Sequence, residues 1–393
     1  MKQILFISYC HNPFKHSTGG EQRSNLLLRA CMQGGHVDFI AFRKMNSNID
    51  GVNVLYAENH TSHEFFTGLT RSQKLHSIAK PWDLQRIFPV EKDLEQIVDS
   101  FVAKKHYDYI VVRYLPNALS LGLMKYADRL VVDIDDHPQD VIRNFTRNTR
   151  RFNRLYFSCI SLFADIGVRN VAKRLQTSFY SNPSTPHYKR GSLLPNVPFY
   201  EMPSNFADFA TTTPRVLFVG TLDFQPNYQG ICSFLENVWP LVRKAVPDAE
   251  LHIVGATCNK EIENDLRSWW ESYPGVAMLG FVDDLSHEYR DCRATVVPLY
   301  SGAGTSIKTL ESMQQKRPCV STPCGVRGYE KLFNDGSEVL VARNFRQFAR
   351  LIVQAITNPT LNRTISEKAY HVVSQYFTKE SFSGIVAKSL FEK

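Results

Sequence analysis

The sequence predicts an α/β protein built from two doubly wound parallel-sheet domains. Its length of 393 residues suggests two domains of roughly 100–200 residues each. Apolar strand patterns alternate with helical patterns in both halves, which is typical of parallel sheets. A proline-containing stretch without periodicity separates the halves. We therefore predict an N-terminal domain over 1–195, a linker over 196–213, a C-terminal domain over 214–372 and a crossover helix over 373–393 that returns to the first domain.

The first half begins with an apolar strand and continues the alternation. Strands are predicted at 3–8, 37–42, 52–57, 109–113, 130–133, 163–168 and 178–180. Helices are predicted at 21–33, 91–105, 116–126, 141–162 and 170–175. The helix over 91–105 is the clearest, because its apolar residues recur at helical spacing.

The second half restarts the same alternation after the linker. Strands are predicted at 215–219, 250–254, 276–279, 294–299 and 318–321. Helices are predicted at 231–245, 260–272, 285–292, 345–357 and 363–376, and a further helical run follows the loop at 301–306 and ends near 316. In doubly wound sheets ligands bind beyond the carboxyl ends of the strands, so we expect the two domains to face each other across a cleft.

Composition limits the possible functions. Hydrophobic residues make up 43% of the chain, which is enough for two buried cores, and no apolar run reaches the roughly 18–20 residues that span a bilayer. The N-terminus reads as a β-strand rather than a signal peptide. The eight scattered cysteines contain no CxxC pair, so neither disulfides nor a metal site are expected. These features predict a cytoplasmic protein.

The charge is uneven along the chain. The net charge is +8, and residues 1–200 hold 26 Lys and Arg against 17 Asp and Glu, whereas the remainder holds 20 against 21. A basic half is typical of a domain that meets an anionic partner such as a membrane surface, a phosphorylated acceptor or nucleic acid. Nucleic acid is the weakest choice, because no recognised module accompanies the charge.

The segment 298–325 carries the strongest chemical signal. A strand runs into the small-residue loop Ser-Gly-Ala-Gly-Thr-Ser at 301–306, and a helical run follows. Glycines allow backbone N–H groups to approach a phosphate, and the positive end of a helix attracts it. Lys308 and Glu311 lie three residues apart on one helix face, so Lys308 can neutralise a phosphate and Glu311 can bind sugar hydroxyls. The alternative is an ordinary strand-loop-helix unit with solvated charges.

Several motifs in register resemble one known family. In the second half these motifs are LFVGTLDFQPN, AELHIVG and LGFVDDLSHEYRDCRATVVPLYSGAGTSIKTLESMQQKRPCVSTPCGVRG, and in the first half they are ILFISYC and STGGEQRSNLLLRACMQGGHV. They resemble the GT-B fold glycosyltransferases of family 4, also called glycosyl transferases group 1. The second-half likeness covers about residues 214–345. The resemblance implies two Rossmann-like domains and transfer of a sugar from a nucleotide-diphosphate sugar, with retention of configuration and without metal or other cofactor.

The resemblance also implies roles for individual residues. Gly19 and Gly20 match the loop that approaches the donor pyrophosphate, and Gly220 with Thr221 match a strand end that faces the phosphates. Phe281 and Val282 match the segment beside the nucleobase. Gly304 and Thr305 match the helix start at the diphosphate. Glu311 matches the second glutamate of the E-x7-E motif, which is expected on the ribose.

The sequence departs from the family pattern at three positions. The first glutamate of E-x7-E is replaced, since Ala303 stands near its position. The family often has an arginine and a lysine where Thr221 and Asn227 stand here. Lys308 can supply the missing positive charge, so we predict a variant enzyme with Asn227 among the donor-binding residues.

The segment after the strand at 130–133 contains further candidates. The resemblance implies a histidine here that touches the donor sugar or the acceptor, and His137 is the candidate; a turn-capping histidine is the alternative. Asp133, Asp135 and Asp136 resemble a metal-binding DxD motif. Solvated or turn-capping carboxylates are the preferred interpretation, although Asp135 or Asp136 can also act as a base or orient the acceptor.

A basic stretch follows His137. On a helix, one side would carry the arginines of the acceptor or membrane candidate, Arg143, Arg147, Arg150, Arg151 and Arg154. Basic amphipathic helices bind anionic membrane surfaces, which suits an enzyme with a lipid-linked acceptor at the inner face of the membrane. A core-packed helix with a solvated basic face and direct binding of a polyanionic acceptor are the alternatives.

The sequence thus predicts a glycosyltransferase with His137, Lys308 and Glu311 in catalytic roles, working in assembly of a surface polysaccharide or lipid-linked oligosaccharide. A nucleotide-sugar epimerase of related fold is one alternative. A non-catalytic partner subunit is another, and the replaced first glutamate favours it.

Overall fold

The computed structural model describes residues 1–45, 48–60, 71–137, 139, 142, 151–183, 188–255, 257, 260–302 and 304–392. The chain divides into two units, each built on one parallel sheet. The first unit comprises Met1–Asn196 with Lys379–Lys393, and the second comprises Val197–Thr378. The predicted class of two doubly wound α/β domains is confirmed.

The first unit contains a seven-stranded parallel sheet in the order β3-β2-β1-β4-β5-β6-β7. Its strands are β1 (Lys2–Ser8), β2 (Gly35–Ala41), β3 (Val52–Ala57), β4 (Tyr109–Arg113), β5 (Leu130–Asp135), β6 (Thr177–Tyr180) and β7 (Gly191–Leu193). The central strand β1 is apolar without alternation, because helices cover both of its faces. The neighbouring carboxyl ends of β1, β4 and β5 bring residues distant in sequence together.

Helices pack on this sheet at both faces. They are α1 (Gly19–Gly34), α2 (Arg71–Ile78), α3 (Leu84–Ile87), α4 (Lys92–Val102), α5 (Leu115–Ser120) and α6 (Arg151–Ala172). Helix α1 begins with a capping box, in which Thr18 and Glu21 each bond the other's backbone N–H group.

The predicted strand at 163–168 is wrong, because these residues belong to α6. Tyr156, Ile160, Ala164 and Val168 recur every four residues and are all buried in the core of the first unit. The local run Phe-Ala-Asp-Ile-Gly-Val looks strand-like only when it is separated from this longer helical period. The predicted short helix at 170–175 is the end of the same helix, and most of 141–150 lies outside the described residues.

The second unit contains a six-stranded parallel sheet in the order β10-β9-β8-β11-β12-β13. Its strands are β8 (Arg215–Val219), β9 (Glu250–Val254), β10 (Val276–Gly280), β11 (Ala294–Val297), β12 (Cys319–Ser321) and β13 (Leu340–Val341). Its helices are α7 (Gln225–Asn237), α8 (Trp239–Ala245), α9 (Lys260–Trp270), α10 (Ser286–Asp291), α11 (Ile307–Gln314), α12 (Phe345–Thr357) and α13 (Pro359–Tyr376). The predicted helix over 231–245 is divided in two near Pro240, which lies in the first turn of α8 and has no N–H group to continue α7.

The last helix, α14 (Lys379–Leu390), belongs to the first unit and packs on α1. The Tyr109 hydroxyl donates to the Leu390 carbonyl at 2.5 Å. The Phe391 ring lies against Gly34, where a Cβ atom would come within 2.1 Å of it. The C-terminus of the chain therefore completes the core of the N-terminal unit.

Residues 197–206, at the start of the predicted linker, are fastened to the second unit. The side chains of Gln314, Gln315 and Lys316 donate to the carbonyl oxygens of Tyr200, Glu201 and Ser204, at 2.8, 2.9 and 3.3 Å respectively. The segment that enters the second unit is thus held by residues at the end of α11.

Candidate functional site

The loop between β11 and α11 has a shape that only glycine accommodates easily. Gly302 and Gly304 have φ values of 132° and 65°, in the region that L-side chains rarely adopt. Arg327 fixes the loop, since its Nε donates to the Gly304 carbonyl at 2.9 Å and its Nη1 to the Gly302 carbonyl at 2.8 Å. Ala303, at the position of the first family glutamate, lies outside the described residues.

Helix α11 follows this loop and carries two charged side chains, of which Glu311 is buried and Lys308 is half-buried. Glu311 is only 4% exposed. Burial raises the pKa of Glu311 to about 7, against the opposing effect of the nearby Lys308 ammonium. Burial likewise lowers the pKa of Lys308, against the opposing effect of Glu311. Among the described residues, neither side chain has a hydrogen-bond partner or a close ion-pair partner, so the two offset each other's charge only at longer range.

The end of β8 lies against the same lysine. A Cβ atom on Gly220 would come within 2.6 Å of Lys308 Cε and 2.9 Å of Asn227 Nδ2. Asn227 is buried, its Nδ2 donates to the Thr221 carbonyl at 2.7 Å, and its Oδ1 has no partner among the described residues. The structure thus brings Gly220, Thr221 and Asn227 together with Lys308, although about 80 to 90 positions separate them in the sequence.

The segment after β10 borders this cluster. Gly280 ends the strand with a φ of 70°, and the Phe281 side chain that follows is 56% exposed. Val282 packs with Tyr200, Val219 and Leu279 around a small buried cluster. Asp284 Oδ1 accepts from the Ser286 N–H at 2.9 Å, so it caps the start of α10.

In the first unit, Gly19 and Gly20 form the first turn of α1. A Cβ atom on Gly20 would come within 2.4 Å of the His11 ring, so glycine is required there. The Glu21 carboxylate accepts from the backbone N–H groups of Ser17 and Thr18, at 3.1 and 3.2 Å. Part of the anion-binding capacity of this helix start is therefore already used by the chain's own carboxylate.

A buried network of charges lies behind the glycine turn. Asp133 is fully buried and accepts from Arg23 at 2.7 and 2.8 Å and from Arg113 at 2.8 Å. Arg113 also donates to Asp135 at 2.6 Å and to the Gly20 carbonyl. Burial raises the pKa of Asp133, but the two guanidinium groups outweigh burial and hold it below its usual range. The predicted solvated or turn-capping role is therefore wrong for Asp133, which is a core ion-pair partner.

Two residues of this region adopt left-handed backbone conformations. Tyr114 and Asp135 have φ values of 67° and 57° at the ends of β4 and β5. Such conformations cost about 1–3 kcal/mol each in non-glycine residues and persist where the surroundings over-determine them. Arg113 holds both residues in these conformations, because its guanidinium contacts both the Tyr114 ring and the Asp135 carboxylate.

His137 is buried, with 5% exposure. Its Nδ1 accepts from the Gln139 N–H at 3.1 Å, and its Nε2 lies 3.3 Å from Asp165 Oδ1. Its ring stacks on Tyr188 at 6.3 Å. Both ring nitrogens therefore have partners within the chain, and a contact of His137 with a ligand would replace one of them.

Only the end of the basic stretch can be described. Arg143, Arg147 and Arg150 lie outside the described residues, Arg151 begins α6, and Arg154 is exposed. Residues 153–172 of α6 are long and apolar enough to cross a membrane, which departs from the sequence expectation, but 44% of them are buried in the first unit. Core helices pass the same test of length and composition.

Comparison with known proteins decides what this arrangement belongs to. The family model described as "Glycosyl transferases group 1" matches residues 213–358, which include the loop, α11 and the Gly220 strand end. Residues 213–358 therefore form a glycosyl transferases group 1 domain, and the chain is a glycosyltransferase. Its fold is GT-B, as in the solved structures that it resembles.

Three solved structures illustrate the likeness of this glycosyltransferase to GT-B proteins. Sucrose-phosphate synthase from Thermosynechococcus elongatus matches with a TM-score of 0.67, 15% identity and 100% coverage of both chains. WaaG, a glycosyltransferase involved in lipopolysaccharide biosynthesis, matches with a TM-score of 0.65 and 13% identity over 99% of this chain and 100% of WaaG. Alr3699/HepE of Anabaena, in complex with UDP and glucose, matches with a TM-score of 0.62, 14% identity and 100% coverage of both chains.

One curated relative covers nearly the whole chain. It is an uncharacterized 44.6 kDa protein in the cps region of Klebsiella pneumoniae, 24% identical over 98% of this chain and 99% of the relative.

Sequence reasoning missed three residues whose contacts shape the regions described above. Arg327 lies at the end of the quoted family-like stretch and Tyr200 lies outside every quoted motif, but the contacts of both, with the loop and with α11, depend on the fold. Arg113 could have been found, because a charged residue that ends an apolar strand beside Asp133 on the next strand indicates a buried pair.

Proposed function

We propose that this glycosyltransferase moves a sugar from a nucleoside-diphosphate sugar to an acceptor hydroxyl during assembly of a surface glycan. The observation that carries the proposal is the pairing of half-buried Lys308 with buried Glu311, neither of them hydrogen-bonded within the described chain, behind a glycine loop at a helix start. A diphosphate and a ribose supply the negative charge and the hydroxyls that these two side chains lack.

The names of the relatives support the substrate class. HepE is described in complex with UDP, UDP-glucose and glucose, and WaaG as an enzyme of lipopolysaccharide biosynthesis. The Klebsiella relative comes from a cps region. A glycan on a lipid carrier is therefore the acceptor that we propose.

Each residue of the site has a role in this proposal. Lys308 and the backbone of Gly304 and Thr305 bind the diphosphate, Glu311 binds the ribose, and the Phe281–Val282 segment borders the base. Lys308 also stabilises the negative charge that develops on the leaving diphosphate, which is usually the largest catalytic contribution in such sites. Retention of configuration, the absence of a metal requirement and contact of His137 with the donor sugar or acceptor are parts of the proposal that rest on the family resemblance.

Peripheral contact with the inner face of an anionic membrane completes the proposal. Leu155, Leu162 and Ile166 are exposed along one face of α6, with 74%, 68% and 47% of their surface accessible. Arg154 and Arg169 are exposed on the same helix. Apolar side chains flanked by basic ones favour binding at the headgroup level of an anionic bilayer. Flotation with phosphatidylglycerol vesicles, compared with neutral vesicles and with Leu155→Glu/Leu162→Glu, tests this contact.

The donor proposal is tested by thermal unfolding with a panel of nucleoside diphosphates and their sugars. A ligand at 100 times its Kd stabilises the folded protein by about 2.7 kcal/mol. We expect one nucleotide family to raise the melting temperature of the wild type and not that of Glu311→Ala. A well-folded wild type that responds to none of them would sink the proposal. Incubating the identified donor without acceptor then distinguishes a transferase from an epimerase, because only an epimerase would convert the donor to its isomer.

A further inference from the structure

Tyr200 is a residue that neither the sequence motifs nor the family comparison assigns to the site. It lies in the segment that enters the second unit, ahead of β8. Its carbonyl oxygen accepts from Gln314 Nε2 at 2.8 Å. Gln314 lies three residues after Glu311 and therefore on the same face of α11. Tyr200 is thus fixed against the helix face that carries Glu311.

The Tyr200 side chain lies at the ligand-binding edge of the sheet. It is half-buried and packs against the same small buried cluster as Val219 at the end of β8, Leu279 near the end of β10, and Val282 in the loop that follows β10. Ligands of doubly wound sheets bind beyond these carboxyl ends. The ring therefore borders the space between Glu311 and the loop at 281–284.

The Tyr200 hydroxyl is a hydrogen-bond donor in this position. Burial, together with the negative charges of Glu311, Asp284 and Asp283, raises the pKa of Tyr200 to about 12, so the hydroxyl keeps its proton. Within the described part of the chain, this hydroxyl has no hydrogen-bond partner. A ribose hydroxyl can accept from Tyr200 while it donates to the Glu311 carboxylate, because a hydroxyl group does both.

We propose that Tyr200 binds the nucleoside of the donor, with its ring against the nucleoside and its hydroxyl on a ribose oxygen that Glu311 also binds. This inference rests on the proposed function, and it makes Tyr200 a specificity-determining residue for ribonucleotides. The segment that enters the second unit is then part of the nucleotide site as well as a connection.

The test is calorimetric titration of the full chain with UDP, GDP and ADP, and then of the tightest binder's 2′-deoxy and 3′-deoxy analogues. Tyr200→Phe removes only the hydroxyl, and Tyr200→Ala also removes the ring. Phe206→Ala is the matched control, because Phe206 lies in the same segment but packs on Lys316 and Tyr370 instead.

We expect Tyr200→Phe to weaken ribonucleotide binding about tenfold, as loss of one hydrogen bond of about 1.4 kcal/mol would do. The preference over at least one deoxy analogue should shrink by the same factor, which a purely structural role would not cause. Tyr200→Ala should bind still more weakly, and Phe206→Ala should bind like the wild type. Should Tyr200→Ala fold poorly, Tyr200→Phe, which keeps the packed ring, decides the question.

The inference would be overturned if Tyr200→Phe kept wild-type affinity and an unchanged ribose preference and Tyr200→Ala also kept wild-type affinity. The proposed function would then still stand. A wild type that binds none of the three diphosphates would overturn the proposed function, and this inference with it.

Discussion

Each unit places a cluster of buried or half-buried charged side chains near the carboxyl ends of its strands, but the two clusters differ in how their charges are satisfied. In the first unit, Arg23 and Arg113 hold both oxygens of Asp133 through hydrogen bonds of 2.7–2.8 Å. In the second unit, Lys308 and Glu311 have no such partners among the described residues. A buried charge is costly unless it is paired and hydrogen-bonded. The first cluster therefore stabilises the fold, whereas the second lowers the free energy of unfolding and leaves charged groups that can bind an external ligand.

The largest expected effect on stability comes from breaking the Arg23–Arg113–Asp133 cluster of the first unit. Asp133→Asn leaves two buried guanidinium groups with Asp135 as their remaining shared countercharge among the described residues, and removal of one member of a buried ion pair costs about 3–5 kcal/mol. Urea denaturation of the full chain should show this loss. Asp83→Asn, at a partly exposed ion pair with Arg86, is the control and should change stability by less than about 1 kcal/mol. A similarly small loss in Asp133→Asn would remove the distinction between the clusters.

The next prediction concerns a substitution that disturbs the Lys308–Glu311 cluster of the second unit without changing its charges. An alanine Cβ at position 220 would lie 2.6 Å from Lys308 Cε, so Gly220→Ala should displace the Lys308 ammonium. We expect nucleoside diphosphate binding to weaken at least about tenfold, or 1.4 kcal/mol, with little loss of stability because a flexible side chain can move. Isothermal titration measures the change. Gly384→Ala, whose Cβ meets no atom of the described residues within 4 Å, is the control, and equal affinities in the two variants would contradict this geometry.

The third prediction concerns how His11 makes the folding stability of the first unit depend on pH. Burial, with the charges of Arg113 and Arg43, lowers the pKa of His11 from 6.5 to about 3. The unfolded chain therefore binds a proton that the folded chain does not bind between these values, so stability falls as the pH drops from 6.5 towards 3. His11→Gln should reduce this slope, by up to about 1.4 kcal/mol per pH unit. Denaturant midpoints at pH 7, 6 and 5 measure it, with exposed His106→Gln as control; an unchanged slope would refute the burial of His11.

The smallest predicted effect concerns Glu311 itself. Because burial raises the pKa of Glu311 to about 7, the carboxyl group is increasingly protonated below that pH and then resembles a glutamine amide in charge. The donor affinities of wild type and Glu311→Gln should therefore converge as the pH falls from about 8 to 6 and differ most at pH 8. A constant ratio across this range, measured by titration calorimetry, would mean that Glu311 does not titrate there.

The sequence predicted the fold and the second unit's site better than it predicted the first unit's interior. The Lys308–Glu311 spacing and the glycine loop are local patterns, so their placement on one helix follows from the period of 3.6 residues. The Arg23–Asp133 pair joins residues 110 positions apart, and the contact of Gly220 with Lys308 joins two separate motifs. Such contacts depend on the order of strands in the sheet, which no local pattern specifies. The wrong prediction of a strand at 163–168 came instead from giving a short apolar run more weight than the longer helical period of α6 that contains it.

The central claim is that the second unit keeps Lys308 and Glu311 for a ligand at the cost of its own stability. The most direct test measures the unfolding free energy and nucleoside diphosphate binding of Lys308→Met/Glu311→Leu. Replacing a buried charged pair by apolar residues of similar size is neutral or stabilising by about 1–4 kcal/mol, so we predict a protein at least as stable as the wild type that no longer binds the diphosphate. A double variant that is clearly less stable, or that still binds the diphosphate with wild-type affinity, would contradict the account.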